Sequence, residues 1–357
     1  MAKAKAKAKA KAKAKSKTAA KKITPKLKFF DTEDVPDKIG RLLDAKNLVP
    51  PRFRGTDKFL DVISWNIRWF DHQDVRRIEA IREVMSALNA DLFVLTEIAE
   101  DGALDEVVKG LIDRKVGHYS TRYGTTGGQQ RVAMVWDRDW VRLKKDIAEL
   151  FPENPLTIAE DGRKHEVFPR RPLWGYFEAL PDRPDREGFN FELLGVHLKS
   201  QMPAKGASGR GGIPQRQEAA RRIANWLETP SEHFDEDVLI FGDWNAAPDQ
   251  PEWKAFDKLE KAGEIDFQSI NPGNEVSHLA RLNKSGPAGT RLDLHLITKS
   301  RDAQRVAKDK GVVIQWSLFD DLDTLNAADR QLLFNAMKMN FSDHLPLLSR
   351  FYFTSGR

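Results

Sequence analysis

Residues 238–249 read VLIFGDWNAAPD, and this stretch decides the fold class. An apolar run of strand length reaches Gly242, which lets the backbone approach closely, and Asp243 and Asn245 follow at i and i+2. On an extended segment that spacing sets both side chains on one side. A carboxylate beside an amide suits a water nucleophile and a charged phosphate oxygen. The competing reading is an Asx turn, in which the aspartate bonds its own backbone two residues on.

Other strand-like runs carry polar groups in the same way. VISWNIRWF (62–70) brings Asn66 to a strand end, where an amide can orient a carboxylate, a metal-bound water or a phosphate oxygen. DLFVLTEI (91–98) closes with Glu97, which must emerge at a sheet edge or be paired, because an unpaired buried carboxylate is costly. An oxygen-preferring ion such as Mg²⁺ takes one or two carboxylates with waters and substrate phosphate, and Glu97 suits that role. LLGVHLKS (193–200) supplies His197, and Ser342-Asp343-His344 precedes the run LPLLSRFYF (345–353). Histidine titrates closest to neutrality, so His197 and His344 are the acid–base candidates. Neighbours on a strand point to opposite faces, so His344 needs an orienting carboxylate from outside Asp343. Asp293, in RLDLHLIT (291–298), is that carboxylate by the logic of hydrolytic triads, which leaves Asp343 to contact metal or phosphate. His295 lies two residues beyond Asp293 and reads as core or as support for the site; the remaining histidines lack such framing.

Strand-length runs recur at 58–66, 91–98, 131–136, 173–180, 189–198, 237–242, 291–298, 311–316 and 345–353. Helical periodicity falls at 74–88, 215–228 and 323–338. Strands and helices mixed without a repeat predict an α/β fold of two packed sheets covered by helices. Segments 151–170, 200–214 and 271–290 read as long loops. The second follows His197, and its Lys205, Arg210 and Arg216 could clamp a phosphate backbone; an ordinary surface insertion fits equally.

The chain has 357 residues and no cysteine, which excludes disulfides, thiolate metal sites and cysteine nucleophiles. No run approaches the ~20 apolar residues that span a bilayer, and no apolar segment follows the basic N-terminus, so cytoplasmic residence is the expectation. Residues 1–28 hold twelve lysines and no acid; without them the formal charge of +5 becomes −7. The near-strict Ala-Lys alternation up to Lys17 places like charges at i+4 and offers little to bury, so a disordered tail is predicted. The catalytic domain is expected over residues 29–357. Such a tail is either solubilising or a tether to nucleic acid, and counterion release favours the tether.

Taken in order, these motifs resemble the endonuclease/exonuclease/phosphatase superfamily, and within it the pancreatic-type deoxyribonuclease branch, over roughly residues 58–353. WNIRWF is similar to the first motif, with Asn66 as its asparagine, and LTEI supplies the metal-binding Glu97. GVHLKS gives His197, GDWNAAPD gives Asp243 and Asn245, RLDLHLIT gives Asp293, and SDHLPL gives Asp343 and His344. RRPLWGYF (170–177) is similar to the family's arginine-bearing strand and places a phosphate-contacting arginine at Arg171. The resemblance implies a four-layer α/β sandwich, Mg²⁺ or Mn²⁺ dependence, and cleavage of phosphodiesters by water. It implies metal contacts from Asn66, Glu97 and Asp343, and catalysis by His197, Asp243, Asn245, Asp293 and His344. One departure stands out: the branch carries an acid that orients the first histidine, and this chain has Gln130 there, in QQRVAMVW (129–136).

The resulting expectation is a metal-dependent nuclease, foremost a DNA endonuclease acting on double-stranded DNA. Arg122 and Tyr123, in YSTRYGTTGGQQ (119–130), are read as a groove-probing loop, although an exposed charged turn explains them equally. Two alternatives stand beside this reading: a phosphodiesterase or phosphatase for phospholipid or inositol phosphates, and a non-catalytic nucleic-acid-binding module. No membrane anchor is expected, and a protein partner is not legible.

Overall fold

The computed structural model describes residues 29–152, 156–160, 162–202, 211–267, 275–298 and 309–355. The 1–28 tail lies outside the described residues, as do Lys205 and Arg210 of the expected clamp. Strands β1 (Phe59–Phe70), β2 (Leu92–Ile98), β3 (Tyr119–Tyr123) and β4 (Arg131–Asp137) come first, followed by β5 (Val141–Glu149), β6 (Leu173–Ala179) and β7 (Phe189–His197). Then come β8 (Val238–Asp243), β9 (Ile265–Phe267), β10 (Asp293–Thr298), β11 (Val312–Val313) and β12 (Leu347–Tyr352). The longer helices are α1 (Val75–Leu88), α2 (Asp101–Asp113), α3 (Ile213–Leu227) and α4 (Ala327–Asn340).

One six-stranded sheet has the order β11-β12-β1-β2-β4-β3, and the other β9-β10-β8-β7-β6-β5. Each centres on one parallel pair, β1 with β2 and β7 with β8, flanked by antiparallel neighbours. A parallel pair requires a crossover, and helices α1 and α3 provide it. Both helices therefore cover the outer face of their own sheet.

Strand alternation fixes the layers. On β1, Leu60 and Val62 pack between the sheets, while Ile63, Trp65 and Ile67 pack outward beneath α1, α2 and α4. On β8, Leu239 and Phe241 face the other sheet, and Val238 and Ile240 face α3. The result is the four-layer α/β sandwich that the motifs implied. Parity then dictates where the polar groups point. Asn66 shares a face with Leu60 and Val62, Asp243 with Leu239 and Phe241, His197 with Phe191 and Leu193, and Asp293 with Ile297. All four side chains enter the gap between the sheets, where a Cβ on Gly195 would lie 2.9 Å from Val94 Cγ1.

Several sequence expectations need correction. Segment 151–170 holds a hairpin, Thr157–Glu160 with Arg163–Glu166, and 271–290 holds another, His278–Asn283 with Gly286–Thr290. Segment 200–214 already enters α3 at Ile213. Strands β3 and β5 and helix α2 escaped the sequence reading, although Ala103, Leu104, Val107, Val108 and Leu111 line one buried face of α2. The final helix runs over Ala327–Asn340, later than 323–338, because Asn326 caps it by accepting from the Asp329 amide at 2.9 Å.

Candidate active site

Asn66 lies where the regular pairing of parallel β1 and β2 breaks and Glu97 one residue before the end of β2, while parallel β7 and β8 end in His197 and Asp243, all at one edge of the sandwich. Antiparallel β10 begins there with Asp293, and His344 sits three residues before β12. The carboxyl ends of parallel strands are where open α/β sheets assemble their sites. Here two sheets present such ends to one point.

Asn66 links the metal-type ligands. Its Nδ2 donates to Glu97 Oε1 and to Asp243 Oδ2, each at 3.1 Å. His197 Nε2 lies 4.0 Å from Glu97 Oε1 and 3.7 Å from Asp243 Oδ2. Asp243, Asp293 and His344 also form a buried group whose ligand atoms all lie within 4.8 Å of one another. Two carboxylate oxygens converging on one point are what an oxygen-preferring dication takes, so Glu97 and Asp243 fit a divalent metal; Asn66 is no ligand here, since its Nδ2 donates to both and its Oδ1 accepts from the Arg68 amide at 2.9 Å.

The backbone is bent to make this possible. Arg68, Trp69, Glu97 and Asn245 all have positive φ, between 44° and 63°. Such residues carry strain that the surroundings must offset, and they gather at functional sites. Glu97 follows Thr96 in sequence, yet its carboxylate reaches Asn66 because the β2 register shifts beyond Leu95. Its Oε2 accepts from the Trp69 amide at 3.1 Å. Asn245 is not extended as the sequence spacing predicted. Its amide donates to Asp243 Oδ1 at 2.8 Å, an Asx turn, and its Nδ2 donates to the Leu198 carbonyl at 3.2 Å. The turn and the buried site coexist because the Asp243 Oδ2 atom is left for Asn66.

His344 Nδ1 lies 2.8 Å from Asp293 Oδ2, the pairing anticipated from sequence. Burial would push the His344 imidazole down, but Asp293, Asp243 and Asp343 outweigh it and raise it to about 10. Burial, and then the Asp293 charge, push Asp243 up to about 7. His197 is held well below its ordinary range, chiefly by burial and then by Arg170 and His344. The resting site thus pairs an imidazolium at His344 with a neutral imidazole at His197.

The structure moves other expected groups. Gln130 meets the buried His197 ring through its backbone and not through its side-chain amide, whose Oε1 accepts from Arg170 Nη1 at 3.3 Å. Arg170, rather than Arg171, is the buried arginine next to the site. Its Nε donates to the His197 carbonyl at 3.1 Å, and Asp243 and Glu97 act on its charge. Arg171 lines a separate cavity of about 270 Å³ with Phe151, Phe168 and Glu166. Arg122 and Tyr123 are on edge strand β3, not on a loop, and the Tyr123 hydroxyl donates to Asp105 Oδ1 at 2.6 Å. Arg216 is buried and spent on Glu252 and on the carbonyls of Lys199 and Gly211, so it is no phosphate clamp. Asp343 turns toward Lys338 Nζ at 2.7 Å and Arg68 Nε at 3.4 Å. His295 is core: it bridges Ser64 Oγ and Ser349 Oγ, each at 2.8 Å, across the two sheets.

Three residues that the sequence reading passed over complete the site. Ser277 Oγ accepts from the amides of Leu292 and Asp293 at 2.9 and 3.0 Å, which fixes the Asp293 backbone. His278 pairs with His344 as an antiparallel bridge, their rings 4.7 Å apart. Burial, and then the His344 charge, lower His278 to about 4. Arg77 of α1 is buried and donates to the carbonyls of Ile67, Arg68, Trp69 and Phe341, at 2.6, 2.6, 3.2 and 3.1 Å. The hairpin of Ser277 and His278 was signalled by Asn283 and Gly286 around a two-residue turn. No local signal marks Arg77.

The profile of the Endonuclease/Exonuclease/phosphatase family matches residues 63–344, which spans every motif of the site except its flanks. The chain belongs to that family. Among curated proteins, none matches significantly. A solved family member from Bacteroides thetaiotaomicron superposes with a TM-score of 0.54 at 15% identity, covering 83% of this chain and 98% of that one. A mannosyl-6-phosphatase from the same organism gives 0.50 at 14% identity, covering 81% and 98%. D. rerio TDP2 in complex with a single-strand DNA product gives 0.49 at 15% identity, covering 82% and 98%. At these identities the likenesses describe the fold. Family membership makes the chain a phosphoester hydrolase of a divalent-metal-dependent family.

Proposed function

We propose that this protein is a Mg²⁺- or Mn²⁺-dependent nuclease that hydrolyses phosphodiester bonds in nucleic acid, acting as an endonuclease on double-stranded DNA. The observation that carries the chemistry is the convergence of Glu97, Asp243 and Asn66 beside the His344–Asp293 pair. A bound divalent ion would supply charge neutralisation at the phosphate. Glu97 and Asp243 would hold it, with the Asn66 Nδ2 donor orienting both carboxylates. Asp243, raised to about 7, must shed its proton to hold the dication, so ion and proton compete for it. His344, an imidazolium near neutrality, is suited to donate to a phosphate oxygen or to the leaving oxygen. Neutral His197 and the Asn245 amide would orient the same group.

Nucleic acid as substrate rests on the lysine tail and on where it is rooted. The Phe30 amide donates to Asn340 Oδ1, and Asn340 Nδ2 donates to the Phe30 carbonyl, both at 2.8 Å. Asn340 is four residues from His344, at most ~14 Å of chain. The twelve lysines of residues 1–28 precede this anchor in sequence, and a cationic tail joined there would concentrate a polyanion.

The test uses the full chain on supercoiled plasmid, single-stranded DNA, RNA, a phosphoinositide and a sugar phosphate, with Mg²⁺ or EDTA. Nicking that requires Mg²⁺ and is abolished by Asp243→Ala and His344→Ala is the expected result. Turnover of phosphoinositide or sugar phosphate with intact nucleic acid would overturn it. Deleting residues 1–28 should weaken DNA binding and flatten its salt dependence while sparing the chemistry.

A further inference from the structure

Asp343 does not face the metal-type carboxylates, and its neighbours point to another role. Lys338 Nζ, Arg68 Nε and His278 Nε2 approach it at 2.7, 3.4 and 4.0 Å. The carboxylate lies deep, with its side chain 10% exposed, whereas those of Lys338, Arg68 and His278 are 32%, 19% and 34% exposed. One buried acid thus gathers two fixed cations and a ring donor that reach solvent above it. Arg68 meets Asp343 through Nε, and its Nη1 rests on Met339 Sδ at 3.5 Å. The cluster keeps a surplus positive charge at the rim of a body whose formal charge without the tail is −7. It also borders the reacting centre, since the rings of His278 and His344 are 4.7 Å apart.

We infer that Arg68, Lys338 and His278, organised by Asp343, form a second phosphate subsite that binds the phosphate next to the scissile one. The inference rests on the nuclease reading and adds a substrate requirement to it: an anionic neighbour on one side of the cleaved bond. Asp343 then acts as the anchor of cations and not as a ligand of the metal. Lys338 comes from α4, Arg68 from the strained end of β1, and His278 from the hairpin that bridges to His344. Three elements therefore bring these groups to one carboxylate, and such preorganisation lowers the cost of binding an anion.

The experiment walks a single neutral methylphosphonate linkage along a DNA oligonucleotide and measures KM and kcat for the wild type, Lys338→Ala and Lys338→Arg in Mg²⁺. At one position beside the cleaved bond, neutralisation should raise the wild-type KM by ~10-fold, the size of a ~1.4 kcal/mol contact. Lys338→Ala should lose that sensitivity, and Lys338→Arg should keep it. A sensitive position inside the strand identifies a phosphodiester as the ligand; sensitivity only to a terminal phosphate identifies a monoester. Equal sensitivity of wild type and Lys338→Ala at every position would overturn the inference. In parallel, Mn²⁺ affinity measured by paramagnetic resonance should fall in Glu97→Gln and hold in Asp343→Asn. An equal fall in both would make Asp343 a metal ligand and overturn the inference as well. If the unmodified oligonucleotide is not cut at all, it is the nuclease reading that fails first.

Discussion

Arg77 is the residue whose removal tests the construction of the site most directly. Its guanidinium, buried under α1, joins three successive carbonyls after Asn66 to the carbonyl of Phe341, the residue before Ser342-Asp343-His344. It therefore ties the β1 side of the site to the His344 side. Two of the residues it holds, Arg68 and Trp69, have φ of 44° and 47°, a conformation that costs roughly 1–2 kcal/mol each for non-glycine residues. Burial lowers the Arg77 guanidinium to about 10, so the interaction carries a desolvation cost but the group stays charged at neutral pH. Arg77→Met would leave up to four carbonyls without their donor and let the strained turn relax. Leaving buried acceptors without a donor costs about 1–3 kcal/mol. At roughly 2 °C per kcal/mol for a chain of this size, Tm should fall by ~2–6 °C. Displacing Asn66, and the Glu97 carboxylate that binds the Trp69 amide, by ~1 Å should lower kcat by ~10²-fold. Arg77→Lys keeps the charge, yet one ammonium cannot span both segments, so it should recover stability better than turnover. The assay pairs urea unfolding with kcat on the same preparation. An Arg77→Met protein that melts with the wild type and turns over as fast would refute the reasoning.

Other consequences follow from the site and from one distant pair. Asp293→Asn should leave the fold intact but lower kcat by ~10³–10⁴-fold, because His344 loses the partner that sets its tautomer and charge; a loss below tenfold would argue against the pair. With Asp243 near 7 and His344 near 10, kcat/KM should rise as pH passes through the lower value and fall through the upper one. A bound dication shifts the lower limb to more acidic pH, so raising Mg²⁺ should move that limb alone. At the far end of the sandwich, His233 Nε2 meets the Trp226 carbonyl at 2.9 Å and Nδ1 meets Glu192 at 3.3 Å, a geometry that calls for the imidazolium. Burial opposes that charge, but Glu192 and the Trp226 carbonyl outweigh it and raise the histidine above its ordinary value. Its contribution to stability is therefore full below the unfolded value near 6.5 and is lost as pH rises through the folded one. Unfolding of wild type and His233→Gln across pH 5–9 should show that difference vanish at the alkaline end.

The legible part of the site has a common cause. Asn66, Glu97, His197, Asp243 and Asp293 each sit at the end of an apolar run, so their exposure at one sheet edge follows from strand length and alternation. The His344–Asp293 pairing was also readable, because parity on the strand removed Asp343 as the partner. Failures arose where a turn or a distant segment set the side chain. Asn245 left the extended path for an Asx turn, and RRP placed the buried guanidinium at Arg170, one residue from the expected Arg171. Gln130 was judged by its place beside β4, but Arg170 took its amide oxygen.

The sequence by itself determined the reaction class, the face on which residues of the recognised strands lie, and most of the acid–amide–histidine set. Those are properties of periodicity and of residue type, and they are written locally. Only the tertiary structure decided which groups touch. Ser277 and His278 reach Asp293 and His344 through a hairpin bridge, and Arg77 reaches a carbonyl 264 residues away from it. It also decided the charges: a carboxylate raised to about 7 and an imidazole raised to about 10 depend on burial and on opposing groups brought from separate strands. No local pattern encodes such distances, because the partners meet only when two sheets close on one another.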